Sequence, residues 1–403
     1  MVLLSFVTYI LVSGLSLAMA SAGNPEDSDN YIVLFHDHLS SAIQKRDTHH
    51  EWVKRMIDVE KDTGSKVEGH LQVGKKLSGY HGKFTNAQIE KIKRSPEVAI
   101  VERDSDEIIQ AVAFLQQDET PWGLSRISHK ENTYLENKPS EYKFQPGNNN
   151  NTVVYVLDTG VRMDHKEFKD RIRWGVNLAN DKDEDENGHG THVAGVSAGH
   201  SVGVAKDAHI VSVKILDANQ RGSLSNFIKG VHWIIDDHQK NPDQRSVINY
   251  SAVGEISDSR NKAIDEAVDA GILFVGAAGN KGDDACKYGP PSNNRDKTGQ
   301  MVVAALNYTD RPADFSNYGE CVDVYAPGVD IRSSVKDGPD SYGTMSGSSM
   351  ASPHVAGLAA YYWSQNHDYS LEDVVDRIVN GNQGKIRDPR PNSPNKIAYN
   401  GAS

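Results

Sequence analysis

Three short segments of the sequence carry side chains that together could perform nucleophilic acyl transfer. An apolar run ends at Asp158, a predicted small-residue helix begins at His189, and a glycine turn places Ser349 at the start of another predicted helix. A serine hydroxyl is a weak nucleophile, so a base must take its proton and an acid must orient and stabilise that base. The segments therefore predict Asp158 as the acid, His189 as the base and Ser349 as the nucleophile.

A fourth segment could stabilise the negative charge that such a reaction develops. Asn280 closely follows the apolar run 272–276, and its amide could donate to an oxyanion together with the backbone N–H of Ser349. Loss of one such donor costs about 3–4 kcal/mol. Pro353 is predicted to fall in the first turn of the serine helix, where its missing N–H removes no hydrogen bond.

Each of these residues also has a structural interpretation. Asp158 alone could cap a turn, and His189 with His192 could form an H-x-x-H metal pair, although no HExxH pattern accompanies them. We expect structural roles for His192, Asp164 and His354.

The residues just before His189 imitate a calcium-binding loop. Asp183, Asp185 and Asn187 stand at alternate positions and are followed by Gly188, as an EF-hand loop begins, but Ala194 stands at the twelfth position, where a bidentate Glu is required. We therefore expect a solvated acidic loop that favours the protonated form of His189.

The elements that must position these side chains fall into two regions. In the first, strands are predicted over 31–35, 77–84 and 98–102, and helical segments over 43–57 and 85–92. This pattern predicts a small α+β unit. The acidic stretch 104–119 is predicted to be an irregular linker.

After Pro121, apolar runs alternate with helical segments. The runs cover 153–157, 210–216, 247–250, 272–276 and 301–305, and the helical segments include 225–236 and 261–270. Near-continuous apolar strands between helices predict an α/β fold, with a mostly parallel sheet and helices on both faces. Ligands of such sheets bind beyond the carboxyl ends of the strands, where Asp158 and Asn280 lie.

Composition excludes several classes of protein. The chain has 403 residues, a hydrophobic share of 37% and a formal net charge of −12. These values fit a folded protein of two or three domains and disfavour a nucleic-acid or anionic-membrane partner. With two cysteines, disulfide-rich scaffolds and cysteine-based metal clusters are excluded.

The N-terminus carries a predicted targeting signal. Residues 2–20 are apolar and uncharged, and small residues at 18, 20 and 22 offer two A-x-A cleavage sites before the chain becomes polar. We predict a signal peptide at 1–20, the alternative being an uncleaved membrane anchor. The product is then expected to follow the secretory pathway without stable membrane association. In that oxidising compartment Cys286 and Cys321 are expected to form a disulfide, the alternative being two unpaired thiols.

Three N-glycosylation sequons occur, at Asn150, Asn249 and Asn307. Asn150, in a polar loop, is the strongest candidate for modification, and Asn307 is a second. Asn249 lies in a predicted strand and is expected to stay unmodified.

These segments resemble those of the subtilisin-like serine proteases, and within them the proteinase K branch with its cerevisin-type fungal vacuolar proteases. The order of Asp158, His189 and Ser349 is that of subtilisin. The resemblance extends over 121–128, 284–286, 316–324 and 396–401. It implies a catalytic triad of Asp158, His189 and Ser349 and an oxyanion donor at Asn280.

The resemblance also implies a domain organisation and a set of partners. It implies a signal peptide at 1–20, a ferredoxin-like inhibitor-type propeptide at 23–110, a linker or processing region at 111–120 and a subtilisin-like peptidase domain at 121–403. The propeptide would act as intramolecular chaperone and inhibitor, since a large sheet of non-local contacts folds slowly. We expect self-cleavage between Asp104 and Pro121. The product would be a monomer that cuts polypeptides, outside the cell or in a vacuole. It would require no cofactor, although Asp323 matches a structural calcium ligand of proteinase K.

Two segments are implied to bind the substrate backbone, and both depart from the family pattern. Ser251, Ala252, Val253 and Gly254 stand where Ser-Leu-Gly-Gly is usual, and Gln220, Arg221 and Gly222 stand where Gly-Ser-Gly is usual. We expect Val253 to narrow a P1 pocket that prefers apolar or aromatic side chains, and Arg221 to add charge near the P4 pocket. These departures leave a rival hypothesis, a pseudoprotease that binds without efficient turnover.

Overall fold

The computed structural model describes residues 28–39, 43–59, 64–74, 76–108, 112–114, 120–138, 140–147, 151–291 and 298–402. The predicted signal peptide at 1–20 and the sequon at Asn150 lie outside the described residues.

The first region is a four-stranded antiparallel sheet with two helices. Its elements are β1 (Ser28–Phe35), α1 (Ile43–Val59), β2 (Lys66–Val73), β3 (Leu77–Thr85), α2 (Asn86–Ile92) and β4 (Val98–Arg103). The strand order is β2-β3-β1-β4. Thr85 begins α2 with a capping box, in which its Oγ1 accepts from Gln88 N (3.3 Å) and Gln88 Oε1 accepts from Thr85 N (3.0 Å).

The predicted unit lacked one strand, β2. This strand carries several charged and polar residues and a glycine at position 69, so its sequence gives a weak strand signal. It lies at the edge of the sheet, where such residues are tolerated.

The prediction of an irregular linker over 104–119 is wrong for its described part. Two short strands form there, β5 (Asp106–Ile108) and β6 (Val112–Phe114). Each adds to a strand of the second region, so neighbouring backbone, rather than local sequence, determines their conformation.

The second region is built on a seven-stranded parallel sheet. Its elements are α3 (Trp122–Ile127), β7 (Thr152–Asp158), β8 (Ile172–Asn177), α4 (His189–Ala198), β9 (His209–Lys214), β10 (Arg221–Ser223), α5 (Leu224–Gln239), β11 (Arg245–Tyr250), α6 (Asp258–Asp269), β12 (Leu273–Ala277), β13 (Gln300–Leu306), β14 (Val324–Pro327), β15 (Ile331–Ser334), β16 (Tyr342–Ser346), α7 (Ser348–Gln365) and α8 (Leu371–Asn380). The order in the sheet is β14-β13-β12-β11-β7-β9-β8, and every pairing is parallel. The predicted α/β class is confirmed.

Alternate residues of the central strands enter two different cores. Val154 and Val156 of β7 pack in the core that includes residues of α4 and α7. Tyr155 and Leu157 pack in the core that includes residues of α5 and α6. Because successive side chains of a strand point to opposite faces, the sheet is buried on both faces. Reactive side chains can therefore lie at the ends of the strands, where the chain leaves the two cores.

Two further findings concern the predicted disulfide and the possibility of a membrane-spanning helix. Cys286 and Cys321 are joined by a disulfide. In the part of the chain that the structure describes, no helix has both the length and the apolar character needed to cross a membrane.

Candidate active site

Asp158 and His189 form a buried pair at the carboxyl end of the central strand β7. His189 Nδ1 lies 2.8 Å from Asp158 Oδ1 and 3.0 Å from Oδ2. An ionised carboxylate only accepts hydrogen bonds, so Nδ1 is the donor and Nε2 of the neutral ring is left as an acceptor. The backbone N–H of Thr159 also donates to Asp158 Oδ1, at 2.7 Å, so the carboxylate is held from two directions.

The outer nitrogen of His189 has no hydrogen-bond partner among the described residues, although it is buried. Buried polar atoms are nearly always paired, so this acceptor is open to a hydroxyl group or a water molecule that could donate to it. Ser349 begins α7 together with Ser348, and its Oγ lies 3.7 Å from Met350 Sδ.

Pro353 lies in the second turn of α7 rather than in the first, because the helix already begins at Ser348. The prediction that its missing N–H removes no hydrogen bond is therefore wrong. In an α-helix that N–H would donate to the carbonyl of Ser349. Ser251 Oγ takes its place and donates to Ser349 O at 3.0 Å. A residue of the predicted substrate edge thus holds the backbone of the predicted nucleophile.

Asn280 is fixed to the same helix start. Its Oδ1 accepts a hydrogen bond from Ser348 N at 2.8 Å, and Gly279 N donates to Ser348 Oγ at 3.0 Å. Gly279 adopts a φ of +101°, the left-handed region that favours glycine. With Oδ1 used in this way, the amide Nδ2 is the end that can donate to a developing oxyanion.

The segment that follows β4 pairs with two strands of the second region. Strand β5 pairs antiparallel with β10, with Ile108 opposite Arg221 and Glu107 opposite Gly222. Strand β6 pairs antiparallel with β16, which leads to Ser349. The chain therefore pairs one strand with β10 before residues 109–111 and another with β16 after them.

Two carboxylates of the first region cap helices of the second. Glu102 Oε1 accepts from Ser257 Oγ (2.8 Å) and from Ser259 N (2.9 Å) at the start of α6. Asp104 accepts from Ser225 N (2.8 Å) and from Ser225 Oγ (2.6 Å) at the start of α5. Helix N-termini have unpaired N–H groups and a positive dipole end, so they favour such contacts.

Comparison with known proteins assigns both regions. A family model described as the subtilase family matches residues 149–396, and a model described as peptidase inhibitor I9 matches residues 30–106. The chain belongs to the subtilase family. Its first region is an inhibitor-type propeptide, and the subtilase is a serine endopeptidase.

The relatives of this subtilase are fungal proteases, which agrees with the proteinase K branch. It is 37% identical to the subtilisin-like serine protease Pen ch 18 of Penicillium rubens, over 95% of this chain and 82% of that protein. It is 38% identical to subtilisin-like protease 2 of Pseudogymnoascus destructans, over 93% of this chain and 89% of that protein. A crystal structure of a cold adapted subtilisin-like serine proteinase matches with a TM-score of 0.62 and 34% identity, over 70% of this chain and 99% of that chain.

The two predicted substrate edges of the subtilase differ in their surroundings. Gln220 adopts a φ of +62° in the turn before β10, while Arg221 is exposed and Gly222 half-buried in the strand itself. On the other edge, Ser251 and Ala252 are buried.

The cavity beside the second edge lies between propeptide and catalytic domain. It has a volume of about 890 Å³, and its lining includes Val253, Gly254 and Lys281 together with propeptide residues 103–106. A Cβ built at Gly279 would lie 3.6 Å from Val253 Cγ1, so Val253 stands against the glycine that precedes Asn280. Gly254 exchanges two backbone hydrogen bonds with Gly289.

Two further histidines near the site are committed to backbone carbonyls. His192 Nε2 pairs with Ile331 O (2.8 Å) and His354 Nδ1 with Met350 O (2.8 Å). Burial lowers the pKa of His192 to about 3 and that of His354 to about 4, so both rings are neutral at physiological pH. The H-x-x-H metal interpretation finds no support in these contacts. Asp164 is exposed and pairs with Arg162.

The expectation of a solvated acidic loop before His189 is wrong at one residue. Asp185 is buried, with 7% of its surface exposed, and its carboxylate accepts hydrogen bonds from several neighbouring groups. Its neighbours at 181–184 are exposed, as expected. Four consecutive acidic residues at 183–186 gave no sign of which carboxylate would turn inward.

The remaining predicted sites are placed as follows. Asn249 is buried and donates to Ser251 Oγ (2.9 Å), whereas Asn307 is half-buried and its Oδ1 accepts from Thr309 Oγ1 (2.8 Å). Asp323 Oδ2 accepts from Val302 N at 2.7 Å. Within the described residues, no three His, Cys, Asp or Glu side chains form a group that could hold a metal ion.

Proposed function

We propose that this subtilase hydrolyses peptide bonds through an acyl-enzyme on Ser349, with Asp158, His189 and Asn280 as its partners in catalysis. The observation that carries the proposal is the buried Asp158–His189 pair, whose Nε2 has no hydrogen-bond partner among the described residues. A pair that serves only to cap a turn would have no reason to leave that nitrogen buried and unsatisfied.

In the proposed reaction, Ser349 Oγ turns from Met350 Sδ towards His189 Nε2, which takes its proton as Oγ attacks the substrate carbonyl. Asp158 remains ionised and stabilises the imidazolium through Nδ1. Asn280 Nδ2 and the backbone N–H of Ser349 donate hydrogen bonds that stabilise the oxyanion. His189 then protonates the leaving amine, and water releases the acyl group by the reverse sequence. Catalytic hydrogen bonds are often long or poorly aligned before substrate binds, which is consistent with the contact of Ser349 Oγ with Met350 Sδ.

We propose that the precursor cleaves itself between Ile108 and Val112. Strands β5 and β6 occupy edges on either side of this interval, as a bound peptide would on either side of a cleaved bond. Glu102 and Asp104 then keep the cleaved propeptide on α6 and α5 as an inhibitor.

The chain would reach this state in the secretory pathway, as a monomer acting on polypeptides outside the cell or in a vacuole. The sequons at Asn150 and Asn307 are proposed glycosylation sites.

A serine-directed covalent inhibitor and one variant test the proposal. We expect the wild-type precursor to lose its first region, to show a new N-terminus within 109–112, and to be labelled at Ser349 by a fluorophosphonate. The Ser349→Ala precursor should stay intact and unlabelled. Equal processing of both chains would contradict self-cleavage, and a folded, unlabelled wild type would instead identify a pseudoprotease.

No cofactor is proposed for the hydrolysis itself. A structural calcium ion is proposed on Asp323, with backbone carbonyls supplying its other ligands; such an ion would stabilise the fold and take no part in the reaction. Removal of calcium should lower the melting temperature by about 2–4 °C, and Asp323→Asn should abolish that difference. Identical melting of the wild type with and without a chelator would contradict the site.

A further inference from the structure

Asp185 connects the segment of the acid with the segment of the base. It lies four residues before His189 and is buried, whereas the acidic residues before it at 181, 183 and 184 are exposed and Glu186 after it is half-buried. A charge is buried at a cost unless it is fully hydrogen-bonded, so the contacts of this carboxylate indicate its role.

Five donors surround the Asp185 carboxylate. Oδ1 accepts from Thr159 Oγ1 (2.8 Å), Asn187 N (3.1 Å) and Gly188 N (2.7 Å). Oδ2 accepts from Thr191 N (2.9 Å) and Thr191 Oγ1 (2.5 Å). All five contacts suit an ionised carboxylate, which only accepts hydrogen bonds.

These donors belong to the segments that carry the proposed acid and base. Thr159 directly follows Asp158, whereas Gly188 precedes and Thr191 closely follows His189. The hydroxyl of Thr159 adds a second link, because it also accepts a hydrogen bond from Gly190 N at 3.0 Å. One buried charge and one hydroxyl thus join the backbone on both sides of the Asp158–His189 pair.

Packing leaves little room for these segments to shift independently. A Cβ built at Gly190 would lie 2.1 Å from Gly160 O, and one built at Gly160 would lie 3.0 Å from Glu184 O. From the other side of the loop, the buried Lys214 donates through Nζ to the carbonyls of Lys182 (3.1 Å) and Glu184 (2.9 Å). Lys214 stands opposite Asp158 in the β7–β9 pairing.

We infer that Asp185, through the hydroxyl of Thr159 and the backbone at the start of α4, is a positioning residue that holds the His189 imidazole against the Asp158 carboxylate. The inference rests on the proposed function, because it assigns Asp185 no contact with substrate. A displacement of about 1 Å in such a pair can cost about 100-fold in rate, so loss of the Asp185 contacts is expected to lower kcat by about that factor.

Kinetics of the processed enzyme give the first test. Variants are processed by immobilised wild-type enzyme, which is then removed. We expect Asp185→Asn to lower kcat by about 100-fold with little change in KM, because its amide group faces donors. Glu184→Gln, an exposed neighbour in the same loop, should match the wild type. An unchanged kcat in a folded Asp185→Asn protein would overturn the inference.

A pair of substitutions at Thr159 separates positioning from filling space. Thr159→Val keeps the shape and removes both hydrogen bonds, whereas Thr159→Ser keeps the hydroxyl and loses a methyl group. We expect kcat to fall by about tenfold in the valine variant and to return to near the wild-type value in the serine variant. The reverse order would mean that the site only needs to be filled, and the inference would fail.

A spectroscopic measurement makes the test independent of turnover. In the uncleaved Ser349→Ala precursor, the His189 Nδ1–H proton should give a strongly downfield resonance that is absent after Asp158→Asn. We expect that resonance to shift or broaden in Asp185→Asn and to persist in Glu184→Gln. Its persistence in Asp185→Asn would overturn the inference. If Asp158→Asn leaves activity intact, the proposed function itself has failed, so the two failures are distinguishable.

Discussion

The propeptide and the catalytic domain both satisfy backbone N–H groups with carboxylates, but they place those carboxylates differently. In the propeptide, Glu102 and Asp104 reach outward to helices α6 and α5, which belong to the other domain. In the catalytic domain, Asp158 and Asp185 accept hydrogen bonds from neighbours in their own fold. The same interaction therefore joins two bodies in one case and fixes one site in the other.

Apolar packing shows the same division. The propeptide has its own core, which includes Phe35, Val53 and Tyr80, yet Ile32 and Leu77 lie in the core that also contains residues of α5 and α6. The docked face thus combines apolar side chains with two carboxylates that cap helices of the catalytic domain. An interface of this kind can separate after cleavage, whereas the catalytic residues cannot leave the sheet that holds them.

The largest effect is expected in the catalytic domain. Asp158→Asn keeps the volume of the side chain but removes the charge that steadies the imidazolium, so kcat should fall by about 10⁴-fold, with docking of the propeptide unchanged. Steady-state kinetics after processing by immobilised wild-type enzyme measure the first quantity, and inhibition by the cleaved propeptide measures the second. A comparable loss of propeptide inhibition would contradict the separation of roles.

Removal of the two propeptide carboxylates that cap α6 and α5 should weaken inhibition and leave catalysis unchanged. Glu102→Ala with Asp104→Ala leaves helix N–H groups unsatisfied in the docked state, at about 1 kcal/mol or more for each helix. Because the two sites are separate, their effects should add and weaken inhibition about 30-fold, with kcat unchanged. Asp29→Ala, which removes the partner of Arg103 within the propeptide, serves as the control. Unchanged inhibition in the double variant would show that the apolar face alone carries the docking.

Val253→Gly concerns the boundary between the two regions, since Val253 lines the cavity between them. If this side chain narrows the P1 pocket, its removal should raise kcat/KM for large aromatic P1 residues about tenfold relative to small ones. Ile256→Ala, at an exposed residue of the same cavity, should leave the profile unchanged. Cleavage of a peptide library measures the preference, and an unaltered profile in Val253→Gly would argue against the pocket assignment.

The smallest effect is expected from a propeptide histidine. Burial, together with the nearby Lys229 ammonium and His70, lowers the pKa of His81 to about 4 against the opposing effect of Glu68. An unfolded propeptide has a histidine pKa near 6.5, so it binds more protons than the folded, docked form between these values. The contribution of His81 to the folded, docked propeptide is therefore complete above about pH 6.5 and is lost as the pH falls towards 4.

Substitution of this histidine should remove part of the acid sensitivity. Between pH 7 and pH 5, propeptide inhibition should weaken about fivefold less in His81→Gln than in the wild type. His38→Gln, at an exposed propeptide position, should behave as the wild type. Parallel pH profiles for all three proteins would show that His81 does not contribute to the acid response.

Much of the fold followed from local patterns. Five apolar runs of the sheet and the helical segment over 85–92 are encoded within a few residues, and the structure has strands and a helix where they were predicted. Strands β2, β5 and β6 were missed, as were β8 and β14 of the large sheet and the short strands β10, β15 and β16. Strand β2 gives a weak strand signal, and all the others except β8 have five residues or fewer, too few to show a pattern. Their pairing partners lie on other elements, and only those partners determine their conformation.

The sequence by itself determined the α/β class, the two regions and the segments that carry Asp158, His189, Asn280 and Ser349, because strand ends and glycine turns are local signals. The tertiary structure alone decided that Asp185 turns inward, that Ser251 replaces the hydrogen bond lost at Pro353, and that the chain places its own strands along the site. The physical reason is that burial and hydrogen-bond partnership join residues far apart in the chain. Ser251 and Ser349, for example, are separated by 98 positions.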